Sequence, residues 1–309
     1  MRSVPAIAYR LSPIARPTQH SALALSTPPP RCAHRPTPYD APTAPPASGT
    51  CRERKANARC RKSPAHSLPI AVVGLGGYAD TISRLLERES REPNPAVRLV
   101  GIYEPDIATH AARMDELRAS GVAIADSYDA LLAGPAEAIW LPIPIELHRD
   151  FTERALAAGK AVMCEKPVAG SIDDLAAMRA ARDRANRPVA IGFQDLYDPA
   201  THAAKQRLVN GAIGELRSAT LVACWPREQS YYDRNTWAGA FRRRDTWVMD
   251  SPLSNAISHY ANLVLFWLGD TLHATAHPLT VEAELYRANP IENYDTAPSA
   301  STSPATSPP

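Results

Sequence analysis

Residues 69–79 read PIAVVGLGGYA, a short apolar run followed by closely spaced glycines. Apolar residues at helical spacing come next, so the stretch predicts a strand, a tight turn and a helix. Gly74, Gly76 and Ala79 have the spacing G-x-G-x-x-A. In a dinucleotide site the first glycine makes the turn, the second admits the pyrophosphate, and the third small residue lets helix and strand pack closely. The helix N-terminus then offers N–H donors to the phosphates.

A candidate ribose-binding acid ends the next predicted strand, RLVGIYEPD (98–106). Glu104 lies about 25 residues after Ala79, where the dinucleotide fingerprint expects an acid at roughly 20. A carboxylate there accepts both ribose hydroxyls and repels a 2′-phosphate. We therefore predict that the glycine turn, including Gly77, and Glu104 bind NAD in preference to NADP. A solvated glutamate at a strand end is the alternative interpretation.

Strands and helices alternate up to residue 186. The alternation predicts a parallel, doubly wound Rossmann sheet with right-handed crossovers over residues 69–192, an α/β fold. Ligands of such sheets bind beyond the carboxyl ends of the strands. Pro144–His148 and Glu165–Pro167 both fall at such ends. The predicted strands are 121–126, 136–144 and 161–167, and the predicted helices are 127–134, 146–160 and 171–186.

These motifs resemble the Gfo/Idh/MocA oxidoreductases, the family of glucose-fructose oxidoreductase and inositol 2-dehydrogenase. The resemblance rests on GLGGYA (74–79), on P-x-x-x-H at Pro144–His148, and on AGK followed by AVMCEKP (158–167). It spans about residues 69–290. It implies that an α+β domain with an open, mostly antiparallel sheet follows the Rossmann domain, at residues 193–296.

The resemblance also implies roles for the strand-end residues. Lys166 is expected to reach the oxygen of the reacting carbon, and Pro167, often cis in relatives, to set the turn. Independently of the family, burial and a nearby positive nicotinamide lower the pKa of a lysine, which suits proton exchange with a hydroxyl. A surface Glu-Lys pair is the alternative interpretation. The predicted cofactor contacts at these strand ends and in the next segment are Pro144, His148, Glu165, Pro167 and Gln194.

A second catalytic candidate lies in the predicted helix 256–268. Helical spacing places Asn255, His259 and Asn262 along one stripe. Dehydrogenases of the family carry D-x-x-x-H here, with the histidine as acid–base group, so the resemblance implies that His259 is catalytic and that position 255 contacts the substrate. This chain has Asn255 where the family has aspartate, and an amide carries no charge to raise the basicity of His259. A structural histidine is the alternative.

The segment before this helix interleaves aromatic residues and arginines. It fits a loop that stacks on sugar faces and bonds hydroxyls or a carboxylate, with Tyr232 and Trp237 as candidate substrate contacts. Aromatic packing under a long loop is an equal alternative.

Composition limits the function classes. The chain has 309 residues, is 45% hydrophobic and carries a formal net charge of +2, so nothing global indicates nucleic-acid or membrane binding. No apolar run approaches a membrane span. The five cysteines form no CxxC pair, which argues against a disulfide framework or zinc site and for a reducing, cytoplasmic location. We expect Cys164 to be a packing residue.

The two ends of the chain are low in complexity. Residues 1–68 are rich in Pro, Ser and Arg, and 297–309 in Pro and Ser, so both are predicted to be disordered. The start could be a transit peptide, a plain extension or an upstream start codon. Because the last domain supplies few strands, we expect a C-terminal truncation relative to the family. A homo-oligomer is usual in the family but doubtful here, since an unfinished sheet leaves exposed edges.

Two functional hypotheses remain open at this point. The first is an NAD(P)-dependent oxidoreductase acting on a sugar, cyclitol or related polyol, with Lys166 and His259 handling the hydroxyl proton. The second is a nucleotide-binding member without turnover. Asn255 and the missing strands favour the second, and Lys166 with His259 favours the first.

Overall fold

The computed structural model describes the backbone of residues 22–24, 67–297 and 299–302, and the side chains of residues 67–297. The two segments predicted to be disordered therefore lie largely outside the described residues. Within them the structure has two short strands, Ala22–Ala24 and Ser299–Thr302.

A six-stranded, all-parallel sheet forms the first half of the described chain, with the strand order β3-β2-β1-β4-β5-β6. This order confirms the predicted doubly wound Rossmann sheet. Strands β2 and β3 are added on one side of β1, and β4, β5 and β6 on the other, so the strand order reverses between β1 and β4. In chain order, the elements are β1 (Leu68–Val73), α1 (Tyr78–Ser90), β2 (Val97–Tyr103), α2 (Ile107–Ala119), β3 (Ala123–Ala125), α3 (Tyr128–Ala133), β4 (Ala138–Leu141), α4 (His148–Ala157), β5 (Ala161–Cys164), α5 (Ile172–Ala185) and β6 (Val189–Ile191).

The apolar run of β1 decides this architecture, because its side chains alternate between two buried layers. Ala71 and Val73 pack into the core on one face of the sheet, and Ile70 and Val72 into the core on the other. A strand buried on both faces belongs in the middle of a parallel sheet covered by helices. The glycine turn after β1 therefore lies at the carboxyl edge, where the strand order reverses.

The second half of the described chain combines helices with short antiparallel ladders. Strand β7 (Thr220–Val222) pairs with Ala22–Ala24. Strand β8 (Arg242–Arg243) pairs with β9 (Thr246–Trp247), and β10 (Thr280–Ala283) pairs with β11 (Ser299–Thr302). All three pairs are antiparallel. The predicted open antiparallel sheet is thus present as separate two-stranded pieces within the described residues. The elements are α6 (Pro199–Val209), β7 (Thr220–Val222), α7 (Gln229–Asp233), β8 (Arg242–Arg243), β9 (Thr246–Trp247), α8 (Ser258–Leu268), β10 (Thr280–Ala283) and β11 (Ser299–Thr302).

Helix α8 begins later than the apolar spacing predicts. It starts at Ser258, and Asn255 lies in the preceding turn rather than on the helical stripe. The turn is held by Ser251 and Ser254, whose hydroxyls each accept a backbone N–H of the other residue. Serine hydroxyls that bond nearby backbone compete with helix formation, which is why the helix does not extend through this stretch.

Candidate active site

The glycine turn between β1 and α1 is an open cradle. Gly74 and Gly77 have φ angles of +95° and +55°, a region that favours glycine. A Cβ added at Gly76 or Gly77 would meet no atom within 4 Å, and no side chain caps the N-terminus of α1. The turn therefore leaves space and backbone N–H donors for a phosphate group, and Ala79 closes the motif against the sheet at 1% exposure.

Glu104 follows β2 and braces the cradle from the side. Its Oε2 accepts the backbone N–H of Leu75 at 2.6 Å, and its Oε1 that of Asp106 at 2.8 Å. The side chain is buried. A carboxylate has about four acceptor positions, so two remain after these bonds. The fingerprint acid thus lies against the turn as the spacing requires, and ribose binding stays a prediction.

The ends of β4, β5 and β6 lie side by side and present Glu165 and Lys166 at one edge. Leu141 pairs with Cys164, and Cys164 with Ile191, so the residues that follow them are neighbours. Cys164 is fully buried and its pKa is raised to about 12 by burial, which suits the predicted packing role.

Glu165 occupies a close-fitting position at this edge. The indole Nε1 of Trp140 donates to its Oε1 at 3.1 Å, and a Cβ added at Gly192 would lie only 2.5 Å from its Oε2. Burial raises the pKa of Glu165, partly offset by the Trp140 hydrogen bond. Gly192 is thus required for this carboxylate to fit, and nothing in the sequence pattern singled it out.

Lys166 turns from the sheet edge towards the second half of the chain. Its peptide bond to Pro167 is cis, as the family resemblance implies. Its Nζ donates to Asn255 Oδ1 at 2.9 Å and to the Asn255 carbonyl oxygen at 3.3 Å. Burial lowers the pKa of Lys166, Glu165 and Asp250 partly oppose this, and Arg234 adds to it. The predicted catalytic lysine and the predicted substrate-contacting asparagine therefore meet.

Asp250 is a site residue that sequence reasoning missed. Its Oδ1 accepts Asn255 Nδ2 at 2.7 Å, and its Oδ2 accepts the backbone N–H of Gly239 at 2.7 Å. The side chain is 3% exposed, and burial raises its pKa. In the sequence it resembles an ordinary turn residue ahead of Pro252. A carboxylate therefore does reach the neighbourhood of Lys166, through Asn255.

His259, on the first turn of α8, faces the same neighbourhood. Its ring meets Phe193 edge-on at 5.8 Å between centroids. Burial lowers the pKa of His259, Lys166 lowers it further, and Asp195 opposes both. Its Nδ1 is buried without a hydrogen-bond partner, as is Nδ2 of Asn262 on the next turn. Of these two residues, His259 is close enough to Lys166 for the lysine charge to act on it.

His148 is the most deeply buried of the cofactor contacts predicted at the strand ends. Its ring is 1% exposed, and its nitrogens contact only backbone oxygens: Nδ1 those of Pro167 and Val168, Nε2 that of Ile143, at 2.9–3.2 Å. Burial lowers its pKa. It therefore ties the loop after β4 to the turn that carries Lys166. Its contact with a cofactor stays a prediction, and the sequence spacing does not reveal its burial.

The remaining cofactor candidates lie around these strand ends. Pro144 precedes a 3₁₀ turn, Ile145–Leu147, and Pro167 follows the cis bond. Gln194 is exposed and begins a second 3₁₀ turn next to Phe193. Their contacts with a dinucleotide stay predictions.

The aromatic and arginine-rich segment divides into a buried and an open part. Tyr232 is 8% exposed and packs edge-on against Tyr231, which suits aromatic packing, and its contact with a substrate stays a prediction. Trp237 remains partly open, with the Arg234 guanidinium 5.3 Å from its ring centroid. The structure thus combines both interpretations of this segment.

The hairpin β8–β9 docks this segment onto the Rossmann sheet. Arg243 forms an ion pair with Glu146 in the loop after β4. A Cβ added at Gly170, after the cis bond, would lie 1.9 Å from the carbonyl oxygen of Trp247. The close approach needs glycine at 170, and it holds the two halves together beside Lys166.

Two further properties concern the described part of the chain. Among residues 67–297, no group of three or more His, Cys, Asp or Glu side chains could hold a metal ion. None of the helices in the same range is long and apolar enough to cross a membrane.

Comparisons with known proteins agree with this geometry. Residues 68–193 match the model of the Gfo/Idh/MocA oxidoreductase family, NAD-binding Rossmann fold. The chain is 30% identical over 148 residues to dTDP-3,4-didehydro-2,6-dideoxy-alpha-D-glucose 3-reductase of Streptomyces violaceoruber (47% of this chain, 42% of the relative). It is 26% identical over 225 residues to inositol 2-dehydrogenase of Ralstonia nicotianae (68% of this chain, 61% of the relative).

A solved structure extends the likeness to the second half. The WlbA dehydrogenase of Chromobacterium violaceum, in complex with NADH and UDP-GlcNAcA, superposes with a TM-score of 0.63 at 26% identity over 76% of this chain and 63% of that one. The matches span between 42% and 63% of the length of the three proteins. Residues 68–193 are thus the part of the chain that matches the NAD-binding Rossmann fold of the Gfo/Idh/MocA oxidoreductase family, and the strand-end Glu-Lys-Pro lies within it.

Proposed function

We propose that this protein is an NAD-dependent oxidoreductase that transfers hydride between nicotinamide and a C–OH carbon of a sugar, cyclitol or related polyol. The observation that carries the proposal is the half-buried Lys166 Nζ, held by Asn255 at the sheet edge that also bears the glycine turn. Relatives named as a sugar 3-reductase and as inositol 2-dehydrogenase support the substrate class.

The cradle fits a dinucleotide. The glycine turn and the uncapped N-terminus of α1 offer N–H donors to the pyrophosphate, and Glu104 offers carboxylate oxygens to the adenosine ribose. The same negative charge disfavours a 2′-phosphate, which supports NAD over NADP. NAD, when bound, supplies the hydride acceptor at nicotinamide C4.

Lys166 handles the proton. Because burial lowers its pKa, a larger fraction of Lys166 is neutral amine near pH 7 than for an exposed lysine. In alcohol oxidation the amine Nζ takes the hydroxyl proton while the C–H bond electrons leave as hydride; in ketone reduction the ammonium returns the proton. Asn255 keeps Nζ in place with two oxygen acceptors.

His259 assists from α8. The neutral imidazole, favoured by burial and by the neighbouring lysine, can accept a hydrogen bond from a substrate hydroxyl or relay the proton. The buried His259 Nδ1 and Asn262 Nδ2 have no hydrogen-bond partner in the described part of the chain, and hydroxyls of a bound substrate would supply one.

The partly open aromatic segment supports a sugar-like substrate. Trp237 offers an apolar ring face, and Arg234 beside it offers donors to hydroxyl or carboxylate oxygens. Both lie in the segment that ends at Asp250, on the Lys166 side of the molecule.

The alternative, a nucleotide-binding protein without turnover, was suggested by Asn255. It is not favoured, because Asp250 contacts Asn255 and returns a carboxylate to the network.

Cofactor titration followed by turnover assays tests the proposal. We expect the fluorescence of NADH to change at a lower protein concentration than the fluorescence of NADPH, because NADH binds more tightly. Oxidation of one member of a panel of inositols, aldoses, sugar acids and nucleotide sugars is then followed at the nicotinamide absorbance. Failure to bind either dinucleotide contradicts the proposal, as does NADH binding without turnover of any panel member in either direction.

The two lysines that flank strand β5 provide a matched pair of variants. Lys166→Met removes the proton carrier after β5 and is expected to reduce turnover by about 10²–10⁴-fold with NADH binding retained. Lys160→Met changes the lysine before the same strand, which contacts the carbonyls of Gly134 and Ala136, and is expected to keep turnover per folded molecule. Equal loss in both variants would argue against a chemical role for Lys166.

A further inference from the structure

We propose that Asp250 is a positioning residue of this site: through the Asn255 amide its carboxylate holds the Lys166 Nζ and sets the charge that Lys166 feels. The inference rests on the proposed function of Lys166 and deepens it. It also accounts for the asparagine at position 255.

The three residues form a continuous chain of hydrogen bonds. Lys166 Nζ donates to Asn255 Oδ1 at 2.9 Å, and Asn255 Nδ2 donates to Asp250 Oδ1 at 2.7 Å. The second carboxylate oxygen of Asp250 accepts the N–H of Gly239 at 2.7 Å. In this series of hydrogen bonds, each donor therefore faces an acceptor and each acceptor faces a donor.

The chemistry of an amide makes this order directional. An ionised carboxylate only accepts hydrogen bonds, so Asn255 turns its NH₂ group to Asp250 and its oxygen to Lys166. In the reversed orientation, the amide oxygen would face the carboxylate and the NH₂ group would face the Nζ donors. Asp250 thus determines which end of the Asn255 amide meets the lysine.

Asp250 itself is fixed from two other segments of the chain. Its N–H donates to the carbonyl oxygen of Ala240 at 3.0 Å, and its own carbonyl oxygen accepts Asn293 Nδ2 at 2.8 Å. A buried carboxylate on an anchored backbone can impose an orientation on its partner, because the carboxylate itself has little freedom to move. This is what a positioning residue requires.

The charges around Lys166 make the role measurable. Glu165 and Asp250 favour its ammonium form, while Arg234 and burial disfavour it. His259 lies on the α8 side, with Asp195 beyond it. Removing the Asp250 charge leaves Glu165 as the remaining one of the two carboxylates that favour the ammonium form of Lys166, so Lys166 must lose its proton at lower pH.

Exchanging the two side chains separates position from charge. Asp250→Asn removes the charge and the orientation; Asn255→Asp puts a second carboxylate within hydrogen-bond distance of the first. The double variant Asp250→Asn/Asn255→Asp restores one carboxylate, one amide and a partner for each, with the charge now next to Lys166. Asp295→Asn is the matched control, since Asp295 also accepts backbone N–H groups in a turn, those of Ala288 and Asn289.

Two readouts are taken on the full chain: turnover with NAD as the hydride acceptor, and lysine acylation without cofactor. Turnover is measured on the substrate found in the panel, and the pH midpoint of Lys166 acylation by acetic anhydride is followed by peptide mass spectrometry. We expect Asp250→Asn to lower the midpoint by on the order of one pH unit and turnover by about tenfold. Asn255→Asp is expected to lower turnover as well, and the double variant to recover most turnover and bring the midpoint back to or above the wild-type value.

The outcomes decide the inference. An unchanged acylation midpoint in Asp250→Asn overturns it, as does a turnover loss equal to that of Asp295→Asn per folded molecule, or a double variant no better than the single ones. Because acylation needs no substrate, the midpoints test Asp250 even in a protein that turns nothing over. Failure of the proposed function and failure of this inference are therefore distinguishable.

Discussion

Lys166 and Lys205 are both withdrawn from water, but their surroundings differ in kind. Lys205 in α6 is 0% exposed, and its Nζ donates to the carbonyl oxygens of Phe266, Gly269 and Ala274, at and just beyond the end of α8. Lys166 contacts one asparagine and is surrounded by charged groups of both signs. Lys205 caps the carbonyl oxygens at the end of a helix, whereas Lys166 contacts a side chain that is itself bonded to a buried carboxylate.

The difference teaches how to separate a structural lysine from a reactive one. Carbonyl oxygens at a helix end need a cation or another donor whether or not a ligand is present. An amide oriented by a buried carboxylate has no such need, and neither does the unpartnered His259 Nδ1 beside it. Where polar groups are arranged beyond what the fold requires, a functional site is the better explanation.

The largest expected effect is a difference in the free energy of unfolding between the variants of the two lysines. Lys205→Met leaves buried carbonyl oxygens without their cation, so we expect it to lower the free energy of unfolding by about 2–3 kcal/mol. Lys166→Met should cost less than about 1 kcal/mol of stability, because Asn255 loses a single partner at a partly solvated edge. Urea unfolding followed by circular dichroism measures both. A larger stability loss for Lys166→Met would break the comparison.

Gly192→Ala is expected to act next most strongly, and on the Lys166 region only. The new methyl group would collide with the Glu165 carboxylate, which must leave its place beside Trp140. We expect roughly a tenfold loss of turnover and a destabilisation of about 1–3 kcal/mol. Steady-state kinetics together with NADH titration measure it. Wild-type turnover would show that the position of Glu165 is not needed.

The pH dependence of alcohol oxidation should follow Lys166. The amine form accepts the proton, so the rate is low where Lys166 is ammonium and rises with pH through its pKa, which burial holds below the usual 10.5. A pH–rate profile of kcat/KM at saturating NAD tests this. Asp250→Asn should move the rise to lower pH, and Lys205→Met should leave it where it is. A rate that falls as pH increases over this range would contradict the assignment.

The smallest expected effect comes from the ion pair between the halves. Glu146→Gln removes one charge from the contact with Arg243, which is partly solvated. Such pairs contribute up to about 1 kcal/mol, so thermal unfolding should shift by only a few degrees. Raising the salt concentration should diminish the difference from wild type. A shift as large as that of Lys205→Met would mean that the hairpin is held mainly by this pair.

Much of the Rossmann half was readable from sequence because its signals are local. The alternation of Ile70, Ala71, Val72 and Val73 between two cores, the glycine spacing and the order of strands and helices all depend on neighbours a few residues apart. The family resemblance and the NAD-binding fold followed from the same motifs. The termini that the sequence predicts to be disordered lie mostly outside the described residues.

The site was less predictable because its contacts join distant parts of the chain. Lys166 and Asn255 are 89 residues apart in sequence, and Glu146 and Arg243 are 97 apart. Spacing placed Asn255 on the helix of His259, whereas that helix begins only at Ser258, after a turn held by serine hydroxyl bonds. No motif reports burial, so the sequence did not predict that His148 and Tyr232 are buried.

By itself, the sequence determined the sheet, the cradle and the strand end that bears Lys166, since hydrophobic periodicity and glycine geometry act over short distances. Only the tertiary structure decided what surrounds that lysine. The carboxylate expected at position 255 is instead Asp250, one hydrogen bond further away, because the turn before α8 brings the two side chains to 2.7 Å. Charge acts through space, so the residue that supplies it need not occupy the position where a motif expects it.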